Sequence, residues 1–232
     1  MRPIRKSFVA VALVGYIVAA VVVAEEIECD GPFKGSTPTP EELVIVLRNH
    51  EAWLKSGAKS DDTRRANLCH AMLVATNLSK ADLRGANLQG AVLWWDANLQ
   101  EADLSGANLQ KASIHWTELQ KANLDKANLQ QAELRGANLH RASLDEAKLA
   151  GAIYEPKPES VPAHWTLTHP DSKLDELVFV NNPSGLIELR DAFKKAGMRT
   201  QERQLTYAIE RTKRLQAWDP SWVTPDKKDT RT

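Results

Sequence analysis

The chain has 232 residues, 43% of them apolar, an ordinary globular composition with room for one or two domains. Lys+Arg and Asp+Glu balance at 30 each, so the overall charge points to neither nucleic acid nor an acidic ligand. The two cysteines, Cys29 and Cys69, are too few for a disulfide scaffold, and neither has the C-x-x-C spacing of a metal site.

Arg2, Arg5 and Lys6 open the chain, and an uncharged run extends from Ser7 to Ala24. Val22 and Ala24 place small residues before Glu25, which fits a cleaved secretory signal over residues 1–24. A run of about 17 apolar residues also reaches the lower limit for an uncleaved membrane anchor. Either reading exports the rest of the chain, because the basic flank stays inside while Glu25, Glu26, Glu28 and Asp30 lie on the other side. The expected location is the bacterial cell envelope or periplasm, soluble or tethered through this N-terminal segment. Export permits a Cys29–Cys69 disulfide; the simpler expectation is two unpaired thiols.

Within the next segment, 25–65, Thr39-Pro40-Glu41-Glu42 has the form of a capping box with proline at the first helical position. It predicts a helix over 40–56, with Leu43, Val46, Leu47, His50 and Leu54 on one face and Gly57 ending it. His50 and Trp53 read as packing residues, not ligands.

From Ala66 the chain repeats Ala-(Asn/Asp)-Leu-x-x through eighteen pentads. The central residue is Leu in sixteen, with Ile114 and Tyr154 as exceptions, and the residue two before is Ala in sixteen, with Thr76 and Thr117 as exceptions. In a helix, at about 100° per residue, Ala and Leu two apart would point to nearly opposite sides. In a straight strand an odd period would flip the leucines between faces at every repeat. A short extended piece ending in a corner turns every Leu inward, and such corners wind the chain into a stack of coils about 4.8 Å apart.

These pentads, such as Ala81-Asp82-Leu83-Arg84-Gly85 and Ala107-Asn108-Leu109-Gln110-Lys111, resemble the pentapeptide-repeat family over Ala66–Tyr154. The resemblance implies an all-β solenoid, a right-handed quadrilateral β-helix with four pentads per coil over 66–156. Asn49–Ser56 together with Arg65-Ala66-Asn67-Leu68 is similar to the lead-in of many members, and the 40–56 helix would cap the first coil. Some members imitate duplex DNA and protect topoisomerases, a role that needs a line of negative charge in place of phosphates. Residues 66–154 carry nine acidic and eight basic side chains, and an exported protein would not meet a cytoplasmic topoisomerase. No nucleic-acid partner is therefore expected.

The five-residue phase breaks once, at Asp96, which reads as an extra corner residue. Counting onward brings Trp95 over Trp116 and Trp94 over His115, at outward-facing corners one coil apart. Trp94, Trp95, His115 and Trp116 form the candidate patch for a protein partner. The competing reading is that Pro-rich residues 156–170, with Trp165, cover it.

A Pro-rich linker, 157–183, carries a short strand over Leu177–Val180. A helical hairpin is predicted over 184–218, with Leu186, Leu189, Phe193 and Ala196 facing one way, then Leu205, Ala208, Ile209, Thr212 and Leu215. Leu189–Gly197 and Tyr207–Arg211 are similar to a segment located after the repeats in larger family members, where membrane segments often come next. Here a polar tail, 219–232, comes instead. Eight basic against four acidic residues in 184–218 suit either an anionic surface or plain solvated faces.

Nothing in the pattern suggests chemistry. His70, His115 and His140 fall at unrelated corners, and no P-loop, GxGxxG or nucleophile elbow occurs. A coil filled by Ala and Leu has a convex outside and no pocket. No catalytic residue, cofactor or metal is expected. The sequence points to a non-enzymatic, exported or membrane-tethered interaction scaffold with an unidentified protein partner. The alternatives are a DNA mimic and an accessory subunit docking on a membrane complex through the hairpin. Pairing of two coils into a homodimer stays open.

Overall fold

The computed structural model describes residues 29, 31–58, 63–95, 97–158, 160, 162, 167 and 172–218. Residues 1–24, expected to be a signal or anchor, lie outside the described residues, as do Asp96, Trp165 and the tail 219–232.

The middle of the chain is a parallel coil. Asn67 bridges Asn87, Met72 bridges Val92, and the series continues to Glu133 and Ile153. Partners stand 20 residues apart when Asp96 is not between them and 21 apart when it is, as in Asn77–Asn98 and Val92–Ser113. One extra residue between Trp95 and Ala97 accounts for the whole difference. Each coil therefore has four sides of five residues, and the extended piece of each side is so short that only isolated bridges form.

The bonding repeats with the sequence. Leu109 N–H donates to the Asn128 carbonyl (2.8 Å), and Asn128 N–H donates back to the Ala107 carbonyl (2.9 Å). Ala112 N–H closes the corner onto the Leu109 carbonyl (3.0 Å). The Asn or Asp at the second position accepts from the backbone N–H two residues on, as Asn98 does from Gln100 (3.0 Å) and Asp103 from Ser105 (3.0 Å). That local bond favours the corner over a straight strand. Lys80, Lys111, Lys121 and Lys126, at the fifth position, take left-handed φ values of 58–60°. The conformation costs about 1 kcal/mol per residue, so stacking must offset it at every corner.

Inside, the leucines from Leu68 to Leu149, with Ile114 and Tyr154, are buried in one continuous core. Both Thr exceptions use their hydroxyls: Thr76 donates to the Leu73 carbonyl (2.8 Å), and buried Thr117 donates to the Leu93 carbonyl.

Helix α1, Pro40–Lys55, begins at Thr39 with both bonds of the capping box formed. It packs across the first coil through buried Leu43, His50 and Trp53. The His50 ring stacks on Trp53 (5.1 Å between centroids), and its Nδ1 accepts from Ala66 N–H (3.0 Å). Ahead of α1, Gly35 N–H donates to the His70 carbonyl and Met72 N–H to the Ser36 carbonyl, both at 2.9 Å. Here the structure departs from the expectation of unpaired thiols. Cys29 and Cys69, 40 residues apart, are joined as a disulfide with their Cα atoms 6.1 Å apart. Residues 31–36 run along the first coil and so bring Cys29 to Cys69.

At the other end Val178 bridges Ile153 after a longer last turn of 25 residues. A 3₁₀ turn, Leu174–Glu176, leads into it. Helices α2 (Ser184–Lys195) and α3 (Arg199–Trp218) pair as a hairpin. Leu186, Leu189, Phe193, Leu205 and Ile209 join the core of the coil. Arg211 donates to the Glu176 carbonyl (3.0 Å), and Gln216 to the Phe179 carbonyl (3.0 Å), so α3 satisfies carbonyls of the last turn.

Candidate interaction face

The four sides of the coil differ in what stands at the second position of each pentad. One side carries Asn67, Asn87, Asn108, Asn128 and Lys148, with asparagine amides linked from coil to coil, as Asn87 is to Asn67 (3.1 Å). A second carries Asn77, Asn98, Glu118 and Asn138, and a third Asp82, Asp103, Asn123 and Ser143. The fourth carries Met72, Val92, Ser113, Glu133, Ile153 and Val178. Val74, Trp94 and His115 come directly after the central residues of that side, and Trp95 and Trp116 occupy its corners. Of the described side chains in the coil, the broadly exposed large apolar ones are Met72 (39%), Trp95 (68%) and Trp116 (56%), all on this side. Single exposed apolar residues are normal on a protein surface; their confinement to one side is not.

Trp94 and His115 stack on each other from one coil to the next, with centroids 5.3 Å apart and planes within 4° of parallel. The His115 Nε2 meets Glu133 Oε2 at 2.8 Å, and Arg135 approaches the same carboxylate at 3.2 Å. The His115 hydrogen bond, helped by Arg135, holds the Glu133 carboxyl below its ordinary 4.5 against the opposing effect of burial. The Trp116 indole leans toward the next coil and rests on Gly136, whose missing Cβ leaves room for the ring. The side thus combines an aromatic platform with one anchored charge cluster.

The other sides show an alternating charge pattern. Lys80 and Lys121 both approach Glu101, at 3.9 and 3.4 Å, and Arg84 approaches Asp103 at 3.8 Å. Such exposed pairs contribute about 0–1 kcal/mol each, and they interrupt any continuous acidic stripe. A hollow between α1 and the first coil is lined by Pro32, Val46, Asn49, Arg65 and Asn67, and among the described residues its wall holds no carboxylate, His or Cys. Nothing among the described residues points to catalysis.

A family model of pentapeptide repeats matches residues 64–93, 95–125 and 122–153 in eight copies. The chain belongs to the pentapeptide-repeat family. The coil of this pentapeptide-repeat protein is accordingly a right-handed β-helix solenoid. Similar solved structures include a pentapeptide repeat protein of the Arabidopsis thaliana thylakoid lumen, with 26% identity, 52% of this chain and 79% of that one covered, and a TM-score of 0.41. One from the cyanobacterium Cyanothece 51142 has 37% identity over 42% of this chain and 64% of that one, with a TM-score of 0.38. One from Nostoc Pcc 7120 has 32% identity over 44% of this chain and 78% of that one, with a TM-score of 0.37. No curated protein matches the chain. Among the described residues, no helix of this pentapeptide-repeat protein is long and apolar enough to cross a membrane.

The structure brings Trp94, Trp95, His115 and Trp116 onto one side, but not as equals. Trp95 and Trp116 are exposed, whereas Trp94 and His115 are half-buried in their own stack. Met72, Val92 and Ile153 belong to the same side and are not tryptophans. Their signal is an apolar residue at the second position of a pentad, which is Asn, Asp or Glu in most others, and it becomes visible once pentads are sorted four to a coil.

Proposed function

We propose that this pentapeptide-repeat protein is a non-enzymatic interaction scaffold, exported or tethered to the cell envelope, whose apolar side docks a protein partner. Its coil of about eighteen pentads is a rigid rod, and the helices at both ends serve as lids over an otherwise open core and unpaired edges. The observation that carries the reading is the gathering of Met72, Trp95 and Trp116 on one side while the other three are polar. Tryptophans flanked by a polar rim are the side chains that most often dominate binding energy.

The test is capture from native envelope extracts on immobilised wild type and on Trp95→Ala/Trp116→Ala. Both positions are exposed, so the double variant keeps the circular dichroism of the coil while losing the companions that wild type retains. Equal capture by both forms removes this side from consideration. The second reading, docking through the hairpin, draws on exposed Tyr207 (53%) and Trp218 (85%) of α3. Deleting 184–232 would uncover the core packed under Leu186 and Phe193. The clean discriminator is therefore Tyr207→Ala/Trp218→Ala in the same assay.

A further inference from the structure

Sulfur and nitrogen donors meet at the first corner of the coil. The Sγ atoms of Cys29 and Cys69 and a ring nitrogen of His70 all lie within 4.8 Å of one another. Donors that share one tetrahedral Zn²⁺, bound at about 2.0–2.3 Å, stand about 3.5–4 Å apart, so the two sulfurs, about 2.0 Å apart while bonded, must separate after reduction before all three can hold one ion. Two glycines shape the corner. A Cβ on Gly31 would lie 2.9 Å from the Cys69 carbonyl oxygen, so only glycine lets the backbone at Gly31 pass this close to Cys69. A Cβ on Gly90 would lie 2.3 Å from both Cε1 and Nδ1 of His70, so the imidazole owes its seat to that glycine. Among the described residues no hydrogen bond holds the imidazole, while Cys29 Sγ lies 3.9 Å from the Gln89 carbonyl oxygen. Cys69 is buried, but Cys29 and His70 are half-buried, which gives an ion a way in.

We propose that this corner is a redox-gated metal site: closed as a disulfide, and open to a thiolate-preferring divalent ion of the Zn²⁺ class once the bond is reduced. Two molecules of a small thiol, R–SH, reduce the bond. Each gives up its hydrogen, one R–S–S–R forms, and Cys29 and Cys69 become thiols. Binding the ion then displaces those two protons, leaving two thiolates and the neutral His70 imidazole as ligands and a fourth position open to water. Cys29 is thereby clipped to the first coil in both states, by a covalent bond in one and by a shared ion in the other. This inference does not depend on the apolar side.

The test titrates the full chain with Co²⁺, a spectroscopic stand-in for Zn²⁺, before and after reduction by a phosphine. The reduced chain is expected to bind one Co²⁺ with thiolate-to-cobalt charge-transfer absorption that Zn²⁺ abolishes, and the oxidised chain to bind none. Cys69→Ser removes the band. His70→Ala weakens binding at least about tenfold, the smallest loss expected when even an indirect support of a ligand is removed. A reduced chain with two reactive thiols, intact circular dichroism and no charge-transfer band overturns the proposal. So does a band indifferent to His70→Ala, or loss of the coil's circular dichroism on reduction alone.

Discussion

Replacing Gly136 with alanine probes the aromatic platform without touching an aromatic residue. The new Cβ would lie 2.5, 2.6 and 2.9 Å from three carbons of the Trp116 ring, too close for the ring to stay where it is. Gly106 supplies the control. It has the same φ of +65° and nothing within 4 Å of its added Cβ. Gly106→Ala therefore measures the left-handed backbone alone, at about 1 kcal/mol. Gly136→Ala adds displacement of the indole. Overpacking costs about 1–3 kcal/mol in a closed core, and Trp116 is 56% exposed and can swing outward, so the lower end applies. The expected total for Gly136→Ala is about 2 kcal/mol, a difference between the variants of about 2–4 °C in Tm for a chain of this size. Urea and thermal denaturation monitored by far-ultraviolet circular dichroism read the stability, and tryptophan emission reads the ring. In the capture assay Gly136→Ala should weaken partner retention while Gly106→Ala should not. Equal stability loss and equal emission in the two variants would refute the packing of Trp116 on Gly136.

The two ends of the rod give further expected outcomes. Burial lowers the His50 pKa below its ordinary 6.5, and Nδ1 must stay unprotonated to accept from Ala66. The folded state thus prefers the neutral ring: its contribution is complete above pH 6.5 and is lost as pH falls through 6.5 and past the lowered folded value. The urea midpoint should drop between about pH 7.5 and 5.5, with a shallower drop in His50→Gln; identical slopes would remove His50 as the cause. At the C-terminal end, Arg211→Ala leaves the Glu176 carbonyl without its charged donor and should cost about 1.5–3 kcal/mol. Amide exchange in α2 and α3 should then speed up before exchange in the coil does, and uniform acceleration would contradict the tie.

Much of this molecule is written in local pattern. An odd period with Leu at its centre allows few conformations, so the corners, the inward leucines and the winding come from spacing alone. Thr39 and Glu42 announce the start of α1, and Gly197 the break between α2 and α3, because caps and turns are bonded within a few residues. The extra residue at Asp96 was legible as well, since it shifts the phase. Tertiary structure alone decided what depends on stacking distant segments. Met72, Val92 and Ile153 become neighbours through bridges 20 or more residues apart, and which side is apolar exists only once the coil has closed. Cys29 meets Cys69 because a short N-terminal segment pairs with the first coil, and no spacing rule reports that. Trp94 and Trp95 are adjacent in sequence, yet one lies flat on His115 while the other stands in solvent, because successive residues at a corner point in different directions.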